Sequence, residues 1–305
     1  MKETFGQKTR RSHKRNQRVV MFWCAFVFAF VIAGVWLFRG TLFQNDSGAS
    51  SSGTNQSRHD ACGTADSRQK STDVTQAPMD HEVCQKLQDL VSQDQRVQQV
   101  IDNCEIYPED ILKMLSRNLD MLNFVLEYPE KVGQVFAETV GEVEGGEVPL
   151  LLQYDQRWGY GDYGNSSVAV SGCGPACLSM VITSLTGDDT ITPYVVAQYA
   201  SEQGYYVPGA GTAWTLMSEG AKHFGVIGEE LPLTKSIMEG VLKEGRPIIC
   251  RPGDFTTTGH FIVITGIKDG QFTVNDPNST ERSNMLWDYD TLKPQISNLW
   301  AFQAL

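Results

Sequence analysis

The sequence has little positive charge outside its first eighteen residues. Residues 40–305 hold 17 Lys and Arg against 35 Asp and Glu, which gives this part of the chain a net charge of −18. A face that binds nucleic acid needs clustered Lys and Arg to neutralise the phosphates. The acidic body therefore predicts that nucleic acid is not a partner.

The chain also lacks the composition of two other broad classes of protein. Apolar residues make up 41% and charged residues 20% of its 305 residues. These fractions exclude both a disordered chain and a membrane protein with many spans. The length suffices for two domains and a sizeable core.

One apolar run stands out from this polar chain. Residues 19–38 carry no charge and would span about 30 Å as a helix. The alternative is a cleaved signal peptide, but the run is longer than the apolar region of one, and no A-x-A cleavage pattern follows closely. We therefore predict a single transmembrane helix. Because the basic flank precedes it, we expect a cytoplasmic N-terminus and an extracellular C-terminal domain at the cell membrane.

The composition divides the chain into five segments. We predict a basic cytoplasmic tail at 1–18, the transmembrane helix at 19–38, a disordered Ser/Thr/Gly-rich linker at 39–79, a helical spacer region at 80–146 and a larger domain at 147–305. The spacer contains no cluster of catalytic residue types, so its predicted role is packing or spacing.

Three helices are predicted in the spacer region. Apolar residues recur at helical spacing from Val83 to Ile101, a second helix follows Pro108, and a third is expected to begin at the Tyr-Pro-Glu triplet 128–130. A continuous helix over 83–104 would hold Cys84 and Cys104 about 30 Å apart and prevent a disulfide. Only a break near residues 92–95 would permit one.

The domain at 147–305 has a mixed pattern in which helices precede strands. Helices are predicted at 174–186, 193–203, 212–224 and 234–244, and strands at 247–251, 261–267 and 271–275. The Asp269-Gly270 pair between the last two strands is a strong hairpin signal. This order predicts an α+β fold.

One of the seven cysteines has a sequence context typical of a nucleophile. Cys173 lies between two glycines, which would let the backbone turn sharply, and at the start of a predicted helix, whose dipole favours the thiolate. Cys177 lies one turn further along. A two-thiol metal site there lacks other ligands, so Cys177 and Cys250 are predicted to be core residues, and no metal or cofactor is expected.

Two further residues could complete a catalytic site with Cys173. His260 starts an apolar strand, and Asp276 ends the strand that returns from the Asp269-Gly270 turn. A two-residue turn pairs Asp276 with Val263, so a bulge or an off-pair approach would bring its carboxylate to His260. A carboxylate there could orient the imidazole. The chain order Cys, His, Asp is typical of papain-like thiol hydrolases.

The motifs GCGPACLSM, GHFIVITGI, DG and VNDP, in this order, resemble the papain-like cysteine peptidases of family 39, the bacteriocin-leader-processing group and its stand-alone relatives. The segment that begins at Gln153 (QYDQRW) resembles the Q-x-D-x-R-W opening of those relatives, and the likeness covers roughly 148–305. It implies a papain-like α+β fold with N-terminal helices and a C-terminal antiparallel sheet. It also implies that Cys173 is the nucleophile, His260 the general base and acid, Asp276 the orienting residue and Gln153 an oxyanion-hole donor.

The resemblance implies a bacterial cysteine peptidase, and the predicted transmembrane helix implies that it is membrane-anchored and extracytoplasmic. The expected substrate is a peptide, a protein or a cell-wall peptide. Leader cleavage by the transporter-linked members is not carried over, because this chain has one apolar span and no GxxxxGK[ST] loop. An inactive papain-like module that binds peptides or cell-wall material remains an alternative, and so does acyl transfer to an amine.

Overall fold

The computed structural model describes residues 79–252 and 259–305. The predicted tail, the predicted transmembrane helix at 19–38 and nearly all of the predicted linker lie outside these residues. Among the residues described, no helix is long and apolar enough to cross a membrane.

Residues 79–146 contain four short α-helices and two 3₁₀ turns. The helices are α1 (His81–Leu90), α2 (Val97–Asp102), α3 (Glu109–Leu115) and α4 (Leu122–Lys131), and the turns are Cys104–Ile106 and Leu119–Met121. The apolar series from Val83 to Ile101 therefore belongs to two helices with a break at 91–96. This is the break that a disulfide between Cys84 and Cys104 would require.

The prediction that a third helix begins at Tyr128-Pro129-Glu130 is wrong. This triplet lies in the last turn of α4, with Pro129 inside the helix. Proline removes one backbone donor and crowds the carbonyl four residues earlier, so its position inside a helix is locally unfavourable. The buried side chains of Phe124, Val125 and Tyr128 hold α4 against its neighbours. The packing of these buried side chains thus outweighs the local tendency of Pro129 to mark a helix start.

The C-terminal part combines small helices with one large sheet. The helices are α5 (Val168–Ser171), α6 (Cys173–Thr186), α7 (Pro193–Glu202), α8 (Thr215–Ser218), α9 (Lys235–Lys243), α10 (Thr280–Ser283) and α11 (Tyr289–Leu292), with 3₁₀ turns at Gly220–Phe224 and Lys293–Gln295. The strands are β1 (Asp162–Tyr163), β2 (Ser166–Ser167), β3 (Tyr206–Val207), β4 (Gly211–Thr212), β5 (Val226–Glu230), β6 (Ile248–Pro252), β7 (Ile262–Lys268), β8 (Gln271–Asn275), β9 (Leu286–Trp287) and β10 (Ile296–Ala304).

Six strands form an antiparallel sheet in the order β5-β10-β6-β7-β8-β9. This arrangement confirms the predicted α+β class with a C-terminal antiparallel sheet. The helix predicted at 212–224 is instead the short α8 followed by a 3₁₀ turn. Strands β5 and β10 were not predicted, although β10 lies inside the sheet between β5 and β6.

Helix α6 packs at the centre of the fold. All side chains from Gly174 to Thr183 are buried, as expected for a helix that is apolar on every side. The helix ends at Gly187, whose φ of 73° suits glycine. It packs with α7 against one face of the sheet, while Met238 of α9 packs on the other face. The first residue of α6 is thereby held at a fixed position.

The helices α1–α4 share one apolar core with the domain that follows. This core contains Tyr154, Tyr160 and Ala169 together with the buried side chains of the four helices. The rings of Phe124 and Tyr160 stack with centroids 4.3 Å apart, and the Tyr160 hydroxyl donates to the carbonyl oxygen of Phe124 at 3.2 Å. The region predicted as a spacer is thus packed directly on the larger domain.

Candidate active site

The candidate nucleophile, Cys173, is the first residue of the 14-residue helix α6. The glycines on either side are required by close packing rather than by an unusual φ. A Cβ on Gly172 would lie 2.3 Å from the carbonyl oxygen of Val168, and a Cβ on Gly174 would lie 2.6 Å from Oγ1 of Thr212. The helix N-terminus presents its partial positive charge to the thiolate.

The hairpin of β7 and β8 carries the candidate base and carboxylate. Its turn has φ values of 53° at Asp269 and 77° at Gly270, as a type I′ turn needs. Pairing follows the predicted register near the turn, and then shifts by one residue between Ile264 and Gly266. This shift is a β-bulge of the kind that the predicted approach of Asp276 to His260 requires. Beyond it, Asn275 rather than Asp276 pairs with Val263.

His260 and Asp276 form a buried hydrogen-bonded pair. Nε2 of His260 lies 2.7 Å from Oδ1 of Asp276, and the Asp276 side chain is fully buried. The same Oδ1 accepts from the backbone N–H of Asn278 at 2.8 Å, and Oδ2 accepts from Nε of Arg282 at 2.6 Å. Burial alone would raise the pKa of Asp276, but the charges and hydrogen bonds of His260 and Arg282 lower it to about 2.

His260 and Cys173 line the same pocket, and each group shifts the pKa of the other. Since Nε2 is engaged by Asp276, Nδ1 is the ring nitrogen left for the sulfur. Burial alone would lower the pKa of His260, but the Asp276 carboxylate and the Cys173 sulfur raise it to about 10. Burial would likewise raise the pKa of Cys173, but His260 and the backbone N–H groups of Phe261 and Gly174 lower it. The two shifts together favour a thiolate–imidazolium pair.

Cys177 and Cys250 differ from Cys173 in both burial and acidity. Both side chains are fully buried, as predicted for core residues. Burial raises the pKa of each thiol well above its ordinary value, and nearby negative charge adds to the effect. Neither thiol is therefore suited to act as a nucleophile.

Gln153 lies in the same pocket as Cys173 and His260. Its side chain is buried, and Nε2 donates to the carbonyl oxygen of Ala169 at 2.5 Å. One of the two N–H groups on Nε2 is thus left for another acceptor. Gln156 turns away from the pocket and donates to Oε2 of Glu127 at 2.7 Å. Of the two glutamines, Gln153 alone lines the pocket.

The rest of the QYDQRW segment holds Gln153 in position. Arg157 pairs with Asp155, with Nη2 and Oδ2 2.8 Å apart, and donates to the carbonyl oxygen of Val140 at 2.7 Å. Its guanidinium stacks 4.2 Å over the ring of Trp158, whose indole N–H donates to the carbonyl oxygen of Leu152 at 2.8 Å. Trp158 is fully buried. These contacts fix the backbone next to Gln153.

A pocket of about 880 Å³ opens over these groups. Its floor contains Gln153, Cys173 and His260. One side is formed by the turn and short helix after Asp276, and the other by the helices that precede the domain. Sequence reasoning missed this second wall, because apolar spacing within α1 and α3 indicates only that they pack.

Sequence reasoning also missed Arg282, the second partner of Asp276. It lies on α10, and the turn at 277–279 folds α10 back so that the guanidinium reaches the carboxylate. An Arg in a polar stretch is normally solvent-exposed, and nothing local distinguishes this one. Only the folded turn reveals the contact.

The model of the Peptidase_C39 like family matches residues 146–303, about half of the chain. Similar solved structures include the peptidase domain of Streptococcus ComA, a bi-functional ABC transporter involved in a quorum sensing pathway. It is 17% identical, with 43% of this chain and 89% of that chain covered and a TM-score of 0.35. Another is a Bacillus anthracis protein described as a C39-like peptidase, at 12% identity, with coverages of 51% and 94% and a TM-score of 0.32. No curated protein matches the chain.

Proposed function

Because the chain belongs to the Peptidase_C39 like family, we propose that it is a cysteine peptidase that hydrolyses amide bonds of peptide or protein substrates through Cys173, His260 and Asp276. The observation that carries this proposal is the hydrogen bond between buried Asp276 and His260, in the pocket that also contains Cys173. The lowered pKa of Cys173 and the raised pKa of His260 support it further.

In the proposed acylation step, the Cys173 thiolate attacks the scissile carbonyl carbon. The carbonyl π electrons move to oxygen, and the resulting oxyanion accepts hydrogen bonds from the Cys173 backbone N–H and from Nε2 of Gln153. When the tetrahedral intermediate collapses, the C–N bond breaks and the imidazolium of His260 donates its Nδ1 proton to the leaving amine. The products are a thioester on Cys173 and a free amine.

In the proposed deacylation step, neutral His260 removes a proton from water. The hydroxide attacks the thioester carbonyl, the C–S bond breaks, and the carboxylic acid product leaves. The thiolate and imidazolium are then restored. Throughout, Asp276 stays ionised and holds the imidazole, because Arg282 and the N–H of Asn278 satisfy the rest of its carboxylate.

We also propose that the enzyme is anchored in the cell membrane by residues 19–38, with its C-terminal domain outside. The uncharged length of this run and the basic residues before it support the proposal. Resistance of the full chain to alkaline carbonate extraction, and digestion of its C-terminal domain by protease added to intact cells, would test it. A chain released by carbonate would contradict the anchor.

The catalytic proposal is tested with the full chain purified in detergent. Iodoacetamide should label Cys173 much faster than Cys177 or Cys250, and His260→Ala should slow the labelling of Cys173 at neutral pH and abolish peptide cleavage. His223→Ala is the matched control, because His223 stacks on Tyr199 and takes no part in the site. Equal labelling rates at the three thiols, or unchanged cleavage in His260→Ala, would refute the proposal.

A further inference from the structure

Helices α1 and α3 and the turn after α3 form one wall of the pocket that contains Cys173. This wall is attached to the loop that follows Asp276 by two contacts. Nδ2 of Asn118 donates to the carbonyl oxygen of Asn278 at 2.9 Å, and Oγ1 of Thr280 hydrogen-bonds Oδ2 of Asp120. The family match covers residues 146–303, so these helices lie outside the matched segment.

Four apolar side chains lie inside this pocket. Leu90, Met114, Leu119 and Val170 all line it, and all are only half-buried while packed on the core of the helical region. Leu90 lies in α1, Met114 in α3 and Leu119 in the 3₁₀ turn Leu119–Met121, so three of the four precede the segment that matches the family. Their remaining exposed surface faces the pocket that also holds the candidate nucleophile, so a ligand at Cys173 can cover it.

Most of the charged groups around this apolar strip already have partners. Lys86 pairs with Glu82 at 2.6 Å, Arg282 with Asp276 at 2.6 Å, and Asp120 accepts from Thr280. The pocket therefore has no strong excess of either charge to select a charged side chain. An apolar group is the complementary ligand.

We propose that Leu90, Met114, Leu119 and Val170 form a specificity subsite that binds a large apolar side chain of the peptide substrate next to the scissile bond. This inference rests on the proposed function for the identity of the substrate. Unbranched Met114 lets the subsite adapt to aliphatic and aromatic side chains alike.

The test measures peptide binding separately from cleavage. A library of peptides with Ala, Leu, Phe, Asp or Lys at each position around one bond is titrated against the full chain carrying Cys173→Ala. At one position, Leu and Phe peptides should bind about tenfold or more tightly than Ala or Asp peptides. Adding Leu119→Ala or Met114→Ala should remove this preference.

Ile106→Ala is the matched control, since Ile106 lies in the same helical region, is 52% exposed and does not line the pocket. It should keep the preference. If Leu119→Ala fails to fold, Met114→Ala decides. Equal binding across the library, or a preference unchanged in the folded subsite variants, would overturn the inference. Preferential binding of apolar peptides by a chain that cleaves none of them would refute the proposed hydrolysis but support the subsite.

Discussion

Nε2 of His260 lies 2.7 Å from Oδ1 of an Asp276 side chain that has no exposed surface. This short contact fixes the ring so that Nδ1 faces Cys173, and it places a negative charge where an imidazolium forms. The acidity and orientation of the candidate base therefore depend on one carboxylate.

Replacing the Asp276 carboxylate by an amide removes its negative charge but keeps an oxygen that can accept a hydrogen bond from His260. In Asp276→Asn we expect kcat to fall about a hundredfold, because Asn can still accept from Nε2 but no longer stabilises the imidazolium. The alkaline limb of the rate profile should also move down towards the ordinary histidine pKa of about 6.5. Asp269→Asn, in the exposed hairpin turn, is the control and should change neither quantity. An unshifted alkaline limb in Asp276→Asn would contradict this role.

The pH dependence of kcat/KM should be bell-shaped. Activity requires the Cys173 thiolate and the His260 imidazolium, so it rises as pH passes the lowered pKa of Cys173. It should then fall near the raised pKa of His260, at about 10. The rate of iodoacetamide labelling at Cys173 should share the acid limb. In His260→Ala that limb should move up towards the ordinary thiol pKa of about 8.5; a fixed limb would show that His260 does not lower the thiol pKa.

Arg282 should stabilise the fold through Asp276 in a pH-dependent way. His260 and Arg282 together lower the pKa of Asp276 to about 2, so the stabilisation is complete above its unfolded-state value of about 3.9 and disappears as pH falls towards 2. We expect Arg282→Gln to lower the free energy of unfolding by about 1–2 kcal/mol at pH 7. Urea unfolding should show the difference from the wild-type chain shrinking between pH 4 and pH 2. A constant difference over that range would mean that Arg282 acts through another contact.

Replacement by alanine should be harmful at one glycine in a helix and stabilising at another. In Gly174→Ala the new Cβ would lie 2.6 Å from Oγ1 of Thr212, so the start of α6 must shift and peptide cleavage should fall about tenfold or more. In Gly240→Ala, within α9, the Cβ meets no atom within 4 Å, and stability should rise by about 0.5–1 kcal/mol. Both expectations are checked by measuring thermal unfolding and kcat/KM for each variant. Full activity in Gly174→Ala would show that the position of Cys173 tolerates this shift.

The core shared by the helical region and the larger domain predicts that the two are not independent. Phe124→Ala should destabilise the whole chain by about 3–5 kcal/mol, because Phe124 is buried and stacks on Tyr160. A single unfolding transition that shifts as a unit is the expected result. Two transitions, with only one displaced, would show that the domain at 147–305 folds without the helices.

The sequence was sufficient for the parts of the site that depend on local pattern. A cysteine between glycines before an apolar helix, a histidine before an apolar strand and an Asp-Gly turn are local signals, and the structure brings Cys173, His260, Asp276 and Gln153 together. The α+β class followed from the order of helices and strands.

The parts that could not be predicted depend on long-range contacts. Arg282 reaches Asp276 only through a folded turn, and the apolar residues of α1 and α3 give no sign of which domain they face. Local rules failed at Pro129, where tertiary packing keeps a proline inside α4. They also failed at β10, whose inclusion in the sheet depends on partners far away in sequence.

The bulge between Ile264 and Gly266 controls whether His260 and Asp276 can meet at all. Side chains along a strand alternate between two faces, so only an even number of steps along the ladder keeps two side chains on one face. With the bulge, Asp276 continues the ladder opposite Ile262, two steps from His260; without it, Asp276 would continue opposite Val263, an odd three steps away. Deleting one residue here would turn the carboxylate away from the imidazole, whereas a longer turn that preserves this count would be tolerated. The number of ladder positions between His260 and the partner of Asp276 must therefore be even for the base and the carboxylate to lie on one face. Natural insertions and deletions in the hairpin should keep this number even.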